Sequence, residues 1–196
     1  MSESIIDGTG SGYRAKVDNK NRLVVTAAAE DVKYYITRAG FGFIVSSNPV
    51  TLTSDSESAV LYFKTNEDSD ILIADLTIKF GPSTGGSGVI LGKEYAAPTG
   101  GTLLSDANSI YIPNLNDGSS ATVDPGTVCY AGDEGKTVTG GVDIITQIYL
   151  PNSVESRQDV FIVKKGNSFA YKITPPTGNT SMTLFISFGI YLLDYL

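Results

Sequence analysis

The stretch SAVLYFKTNEDSDILIADLTIKF, residues 58–80, decides the fold class of this chain. Residues 58–65 are rich in β-branched and aromatic side chains, and residues 71–80 alternate between apolar and more polar positions. The apolar members of that alternation are Leu72, Ala74, Leu76, Ile78 and Phe80. A period of two is the pattern of a strand that buries one face. Because the polar residues 66–70 separate the two runs, the stretch predicts two strands joined as a hairpin.

Similar strand signals recur on both sides of this stretch. They lie at residues 22–27, 41–45, 50–53, 89–97, 142–150, 159–166, 168–174 and in the apolar tail 181–196. KKGNS, residues 164–168, predicts a second hairpin turn. Residues 98–142 hold short apolar islands between turn dipeptides, which is typical of short strands linked by long loops. Residues 27–35 favour one short helix or a strand. About ten strands at this spacing predict an all-β fold, a β-sandwich of jelly-roll or Greek-key type.

The composition fits one globular domain with an unusual start. Residues 26–196 are predicted to form a single β-sandwich domain, and residues 1–25 an extended N-terminal arm or peripheral strands. The net charge of −7 argues against broad nucleic-acid binding, which needs many basic side chains. The start of the acidic chain nevertheless carries a concentrated set of basic residues, namely Arg14, Lys16, Lys20 and Arg22.

The residues argue against enzymatic chemistry. The chain contains no histidine, which removes Ser-His-Asp and Cys-His nucleophile systems and most zinc sites. The acidic turns at 66–70, 114–120 and 131–136 lack the ligand spacing of a calcium loop and are interpreted as solvated turns. The glycine-rich residues 8–12 lack the preceding strand and following helix of a phosphate loop. We therefore assign no catalytic residue, metal or cofactor, and interpret Cys129 as an inert core thiol.

Two segments resemble a known group of proteins. IIDGTGSGYRAKVDNKNRLVV, residues 5–25, is similar to the opening of tailed-bacteriophage virion proteins, in which an Asp-Gly-x-Gly motif leads to a basic element. VTLTSDSESAVLYFKTNEDSDILI, residues 50–73, resembles a hairpin of those proteins. Together the two segments cover about a fifth of the chain, and the middle and C-terminal parts carry no such resemblance.

The resemblance implies a non-enzymatic virion protein, assembled in the bacterial cytoplasm. It implies a capsid decoration or cement protein that stabilises the head by binding the major capsid protein at capsomer junctions. The resemblance implies a homo-oligomer, namely a homotrimer, with neither nucleic acid nor membrane as a partner. In this reading the arm lies over the shell, and the residues expected to contact the capsid are Tyr13, Arg14, Lys16, Lys20 and Arg22.

Several alternatives stay open at this point. The four basic residues can equally line a solvated strand pair within the subunit. The alternative function is a tail or fibre subunit that binds host surface glycans through loop tyrosines such as Tyr111 and Tyr130. A hydrolase or depolymerase is a third, weaker alternative. The tail forms a core strand or an oligomer interface, and the residues of that interface would be Tyr191, Leu193 and Leu196. Its uninterrupted apolar part is too short to span a bilayer as a helix.

Overall fold

The chain divides into two units, residues 1–31 and 32–196. The computed structural model describes residues 5–6, 14–17, 23–24, 32–66, 70–124 and 126–193. In the first unit, an antiparallel sheet is formed by β1 (Ile5–Ile6), β2 (Arg14–Val17) and β3 (Leu23–Val24), with β2 in the middle. The extended arm expected at residues 1–25 stays a prediction.

The second unit contains most of the strands, so the predicted all-β, sandwich-like character is confirmed. Its first strands are β4 (Gly42–Ser46), β5 (Val50–Leu52), β6 (Ser58–Lys64), β7 (Ile71–Thr84), β8 (Ile90–Ala96), β9 (Asn108–Ser109) and β10 (Val128–Ala131). The remaining strands are β11 (Val142–Tyr149), β12 (Val154–Val163), β13 (Ser168–Thr174) and β14 (Ser181–Leu192). Its helices are α1 (Val32–Arg38) and α2 (Thr102–Ser105). The predicted helix at 27–35 thus overlaps α1, and its first residues, 27–31, lie outside the described residues.

Two antiparallel sheets enclose the main core. One has six strands in the order β11-β8-β13-β6-β10-β9, and the other has the order β12-β7-β14-β4, with β5 following β4 along the same side of β14. Side chains from both sheets meet in one hydrophobic cluster. Its largest fully buried side chains include Phe43, Phe63, Phe80 and Phe188. This burial between facing sheets is what drives a sandwich to form.

Both predicted hairpins are wrong. β6 pairs with β10 and β13 in the six-stranded sheet, whereas β7 pairs with β12 and β14 in the other sheet. β12 and β13 are likewise in different sheets. At the same end of the unit, the Thr65 amide donates to the Asn167 carbonyl (3.2 Å), and the Asp70 carboxylate accepts from Lys164 Nζ (2.5 Å) and the Lys165 amide (3.1 Å). The connections from β6 to β7 and from β12 to β13 therefore each lead from one sheet to the other. Their polar contacts hold the two connections next to each other.

A bulge at Asp75 changes the predicted alternation of β7. Asp75 has a φ of 55°, and the pairing of β7 with β14 shifts there, between the pairs Thr77–Ser187 and Ala74–Gly189. The side chains that enter the core between the sheets are Ile71, Ile73, Leu76, Ile78 and Phe80. Leu72 and Ala74 instead pack on the outer face, beneath α1. The predicted alternation is therefore correct after the bulge and wrong before it, because one extra residue moves later side chains to the opposite face.

Each sheet also has a covered outer face. On the five-stranded sheet, Ile36 of α1 packs against Ala74 and Tyr191. α1 ends where Gly40 takes a φ of 89°, and the Phe41 amide bonds the Ile36 carbonyl (3.0 Å), a glycine C-cap of the Schellman type. On the six-stranded sheet, the segment 97–141 packs a second, smaller hydrophobic cluster around Leu103 of α2.

Candidate interaction surfaces

The predicted capsid-contact residues belong to the first unit. Arg14 lies opposite Ile6, and Lys16 lies opposite Val24, both on the central strand β2. Tyr13, Lys20 and Arg22 lie outside the described residues. The structure therefore places two of the five on one strand, and their role in capsid binding stays a prediction.

The predicted interface residues of the tail lie at the end of β14. Tyr191 is only 6% exposed, and its hydroxyl donates to Asp75 Oδ2 (2.9 Å). Leu193 is half-buried, and its amide donates to the Asp70 carbonyl (3.0 Å). Leu196 lies outside the described residues. The tail thus forms a central strand, and its contribution to an interface between copies stays a prediction.

A charged pair crosses the core between the two sheets. Arg157 of β12 donates to Glu94 Oε1 of β8 at 2.6 Å, and Glu94 is 1% exposed. Glu94 Oε2 is buried without a hydrogen-bond partner among the described residues. Burial raises the pKa of the Glu94 carboxyl, and the Arg157 guanidinium acts in the opposite direction. The pair joins the two sheets. Because one oxygen of the Glu94 carboxylate is unsatisfied, the stability of this buried charge depends strongly on Arg157.

Two tyrosines extend this polar region of the core. The hydroxyls of Tyr149 and Tyr171 lie 2.6 Å apart, and Tyr149 also donates to Gln147 Oε1. Burial raises the pKa of Tyr171, and the neighbouring Tyr149 and Glu94 act in the same direction. Gly92 is required beside them, because a Cβ there would lie 2.5 Å from the Tyr149 ring. The closely packed tyrosines favour a structural role for this region.

A second charged cluster lies on the outer face of the six-stranded sheet. Lys172 Nζ lies 2.8 Å from Asp143 and 3.3 Å from Glu57, and 3.9 Å from the centre of the Tyr95 ring. Lys93 Nζ contacts the same two carboxylates, Glu57 at 2.9 Å and Asp143 at 3.6 Å. The hydrogen bond from Lys172 lowers the pKa of Asp143. Two positive and two negative charges cancel in this cluster, so it is a structural network and not a site for a charged ligand.

An open cleft of about 270 Å³ adjoins one of the predicted glycan-contact tyrosines. Tyr111 lines it and is 83% exposed. The cleft wall also carries an amide and hydroxyls, from Asn114, Ser119, Ser120, Thr122 and Thr127. Tyr130, in contrast, stacks on Tyr62 with ring centres 5.8 Å apart and does not line this cleft. The structure therefore separates the two tyrosines that the sequence grouped together.

A second cleft of about 330 Å³ lies on the outer face of the six-stranded sheet. Its lining includes Tyr62, Lys64, Pro98 and Leu104, together with residues 166–168, which form the end of the turn before β13 and the first residue of that strand. The Ser168 hydroxyl donates to the Pro98 carbonyl (3.2 Å), which joins two of its walls. Among the described residues that line this cleft, Lys64 is the one charged side chain.

Cys129 and the acidic turn residue Glu134 make contacts within the fold. Cys129 is buried in the core, and burial raises the pKa of its thiol, in line with an inert core residue. Within the described ranges, no group of three or more His, Cys, Asp or Glu residues could hold a metal ion. The acidic turn residue Glu134 instead accepts bonds from the Thr53 amide (2.8 Å) and hydroxyl (2.5 Å).

The helices of the second unit are short. In the part of the chain that the structure describes, neither α1 nor α2 has the length and apolar character needed to cross a membrane. No protein-family model and no curated protein matches this chain.

Proposed function

We propose that this chain is a non-enzymatic structural protein of a tailed-bacteriophage virion, a decoration or cement protein of the head. The observation that carries the proposal is the strand order of the second unit. The order β4-β14-β7-β12 faces the order β6-β13-β8-β11, and successive strands alternate between sheets except from β8 to β11. We interpret this order as that of an eight-stranded jelly roll, an architecture common in viral capsid and lectin domains. The resemblance of residues 5–25 and 50–73 to phage virion proteins points the same way.

The proposed mechanism is burial of surface at junctions between capsid subunits. A decoration protein adds contact area across neighbouring subunits and so resists the outward pressure of packaged DNA. The basic N-terminal residues Arg14, Lys16, Lys20 and Arg22 pair with acidic groups of the shell, while the remainder of the acidic chain faces outward. The protein acts as a homo-oligomer, and the resemblance suggests three copies.

The test compares how tightly the full chain and its variants bind to purified, DNA-free shells. We expect saturable binding of the full chain, and at least about fourfold weaker binding when the four basic residues are changed to Gln, because each exposed ion pair contributes about 0.2–1 kcal/mol. Removing residues 1–22 should weaken binding at least as much. The matched control changes the exposed Lys64 and Lys79 of the second unit to Gln, which should leave binding unchanged. Equal affinity of the full and shortened chains would refute the arm mechanism, and absence of any shell binding would refute the decoration role.

The cleft beside Tyr111 favours a second candidate function, binding of host surface glycans by a tail or fibre subunit. An exposed aromatic ring with neighbouring hydroxyls and an amide offers a stacking surface and hydrogen-bond partners for a sugar. Glycan-array binding by the isolated protein should then be lost in Tyr111→Ala. The control is Tyr34→Ala, since Tyr34 is also well exposed, at 59%, but lies on α1. Absence of glycan binding together with saturable shell binding would exclude this candidate.

A further inference from the structure

The cleft on the outer face of the six-stranded sheet has mixed walls. Ala97, Pro98 and Leu104 contribute apolar surface, and Lys64, Thr99 and Asn167 contribute polar groups. Its volume of about 330 Å³ lies at the lower end of the range for small-molecule sites, which is about 300–1,000 Å³. A site of this kind usually combines an apolar lining with a few polar groups that orient the ligand. The cleft therefore has the size and the lining for one small molecule.

The polar side chains of these walls are not used by the fold. Among the described residues, Lys64 has no ion-pair partner, and the side chains of Thr99 and Asn167 make no hydrogen bond. Asn167 is fixed through its backbone, because its amide donates to the Lys164 carbonyl (2.9 Å) and its carbonyl accepts from the Thr65 amide (3.2 Å). The basic residues of the second unit that do contact carboxylates are Lys33, Lys93, Lys136, Arg157, Lys164 and Lys172. The cleft thus offers a positive charge, a hydroxyl and an amide to a ligand.

One wall of the cleft holds a backbone conformation that costs free energy. Ala97 has a φ of 50°, in the left-handed region that residues other than glycine rarely adopt. The Ala97 amide donates to the Ser168 carbonyl (2.8 Å), and the Ser168 hydroxyl donates to the Pro98 carbonyl (3.2 Å). These two bonds hold residues 97 and 98 in the conformation that shapes the wall. Such strained residues occur preferentially at binding sites, where the surrounding structure maintains them.

We propose that this cleft binds one sugar unit that carries a carboxylate, such as a uronic acid. Lys64 Nζ donates to the carboxylate, and the Thr99 hydroxyl and the Asn167 amide bond to hydroxyls of the sugar. Pro98 and Leu104 contact the C–H groups of the ring. One ammonium balances one carboxylate, whereas a doubly charged phosphate would keep an excess negative charge in a chain of net charge −7.

An acidic sugar is the ligand that uses all parts of the cleft. A simple carboxylate would contact Lys64 alone and leave the hydroxyl, the amide and the apolar wall without a partner. A neutral sugar would leave the Lys64 charge unbalanced. The inference goes beyond the proposed function, since the site belongs to the isolated chain and requires no capsid. It also differs from the candidate glycan site beside Tyr111, because the two clefts share no lining residue.

The test is an NMR titration of the isotope-labelled full chain with D-glucuronate, D-glucose and acetate at equal ionic strength. We expect glucuronate to shift the amide signals of Ala97, Thr99 and Asn167 saturably. It should bind about three- to fivefold more tightly than glucose, the upper part of the range for an exposed ion pair, because the cleft walls displace part of the water around Lys64. Acetate should bind more weakly than glucuronate. Absence of saturable shifts at these amides, or equal affinity for glucose or for acetate, would overturn the proposal.

Two variants separate the contact with the carboxylate from the contacts with the ring. Lys64→Gln should abolish the preference for glucuronate over glucose, because it removes the charge that distinguishes the two sugars. The matched control is Lys79→Gln, since Lys79 is also exposed and without an ion-pair partner among the described residues, but lies on β7 in the other sheet. It should leave the preference unchanged.

Asn167→Ala should weaken glucuronate and glucose by the same factor, because the Asn167 side chain contacts ring hydroxyls and not the carboxylate. The fold should be kept, since Asn167 is bonded to its neighbours through its backbone. An equal effect of Lys64→Gln and Lys79→Gln on the preference, or unchanged sugar affinity in Asn167→Ala, would overturn the proposal whether or not the protein binds shells.

Discussion

Replacing Arg157 by Met tests the charged pair that crosses the core. Arg157 is the only hydrogen-bond partner of the Glu94 carboxylate among the described residues, and it contacts Oε1 alone. Methionine keeps much of the side-chain length but removes the charge. The variant therefore leaves a carboxylate with 1% exposure and no positive partner between two sheets.

The size of the effect follows from the burial of the two groups. Losing one member of a buried ion pair costs about 3–5 kcal/mol. The Arg157 side chain is 26% exposed, so it loses only part of its hydration on folding and its contribution falls toward the lower end. We expect unfolding to become easier by about 3 kcal/mol at neutral pH. At roughly 2–4 °C per kcal/mol for a chain of this length, the melting temperature should fall by about 6–12 °C.

The loss should depend on pH with a definite sign. Burial already raises the folded-state pKa of Glu94, and removing Arg157 raises it further. A group with a raised folded-state pKa destabilises the fold increasingly as pH rises above its unfolded value, about 4.3 for Glu. Below that value the carboxyl is neutral in both states. The deficit of Arg157→Met should therefore be smallest near about pH 4 and grow toward neutral pH.

Urea unfolding at several pH values measures this deficit. The control is the double change Glu94→Leu with Arg157→Met, which should recover most of the lost stability because an apolar pair can replace a buried ion pair. A deficit of less than about 1 kcal/mol at neutral pH, the range of an exposed pair, would refute the reasoning. A deficit independent of pH would refute it equally.

Three further predictions concern single side chains. Cys129 should react with a thiol reagent only after unfolding, because it is 2% exposed; labelling of the native protein at the rate of a free thiol would contradict this. Phe63→Ala should cost about 3–5 kcal/mol in urea unfolding, since a large core side chain is removed. The lost ring contacts are those with Phe169 (5.6 Å) and Phe188 (6.3 Å), and a cost near zero would mean that the cluster is loosely packed. Tyr111→Ala should change the unfolding free energy by no more than about 0.5 kcal/mol, as expected for an exposed loop residue; a larger loss would assign Tyr111 a structural role.

Strand positions were more predictable than strand pairing. The predicted strand at 168–174 matches β13 at both ends, because its apolar residues and flanking turns act locally. β12 begins at Val154, earlier than the predicted start at residue 159, because an edge strand does not need apolar residues throughout. The hairpins were wrong because turn residues reverse the chain without specifying which sheet receives the next strand. The one sign in the sequence was the uninterrupted apolar run of β6, which the structure buries on both faces; a strand of a simple hairpin with one solvated face would alternate.

The charged clusters were less accessible to sequence reasoning. Lys172 lies between aromatic and aliphatic residues, which signals a buried charge with a partner, whereas Glu94 directly follows Lys93 and carries no such signal. The partner of Glu94 is 63 positions away, on the opposite sheet, and no local pattern identifies it. The exposed position of Tyr111 could be predicted because it falls in a loop-rich segment, but the cleft beside it depends on residues brought together by folding.

The position of β14 has a consequence for how the chain folds during synthesis. β14 lies between β7 on one side and β4 and β5 on the other, yet it is made after all three. Until β14 emerges from the ribosome, those earlier strands lack the neighbour that completes their sheet. Such late, non-local pairing slows folding and leaves apolar strand edges open to association in the meantime. Ribosome-bound chains that stop before residue 181 should therefore be sensitive to protease and bind chaperones, and should become protected only when β14 is free to insert.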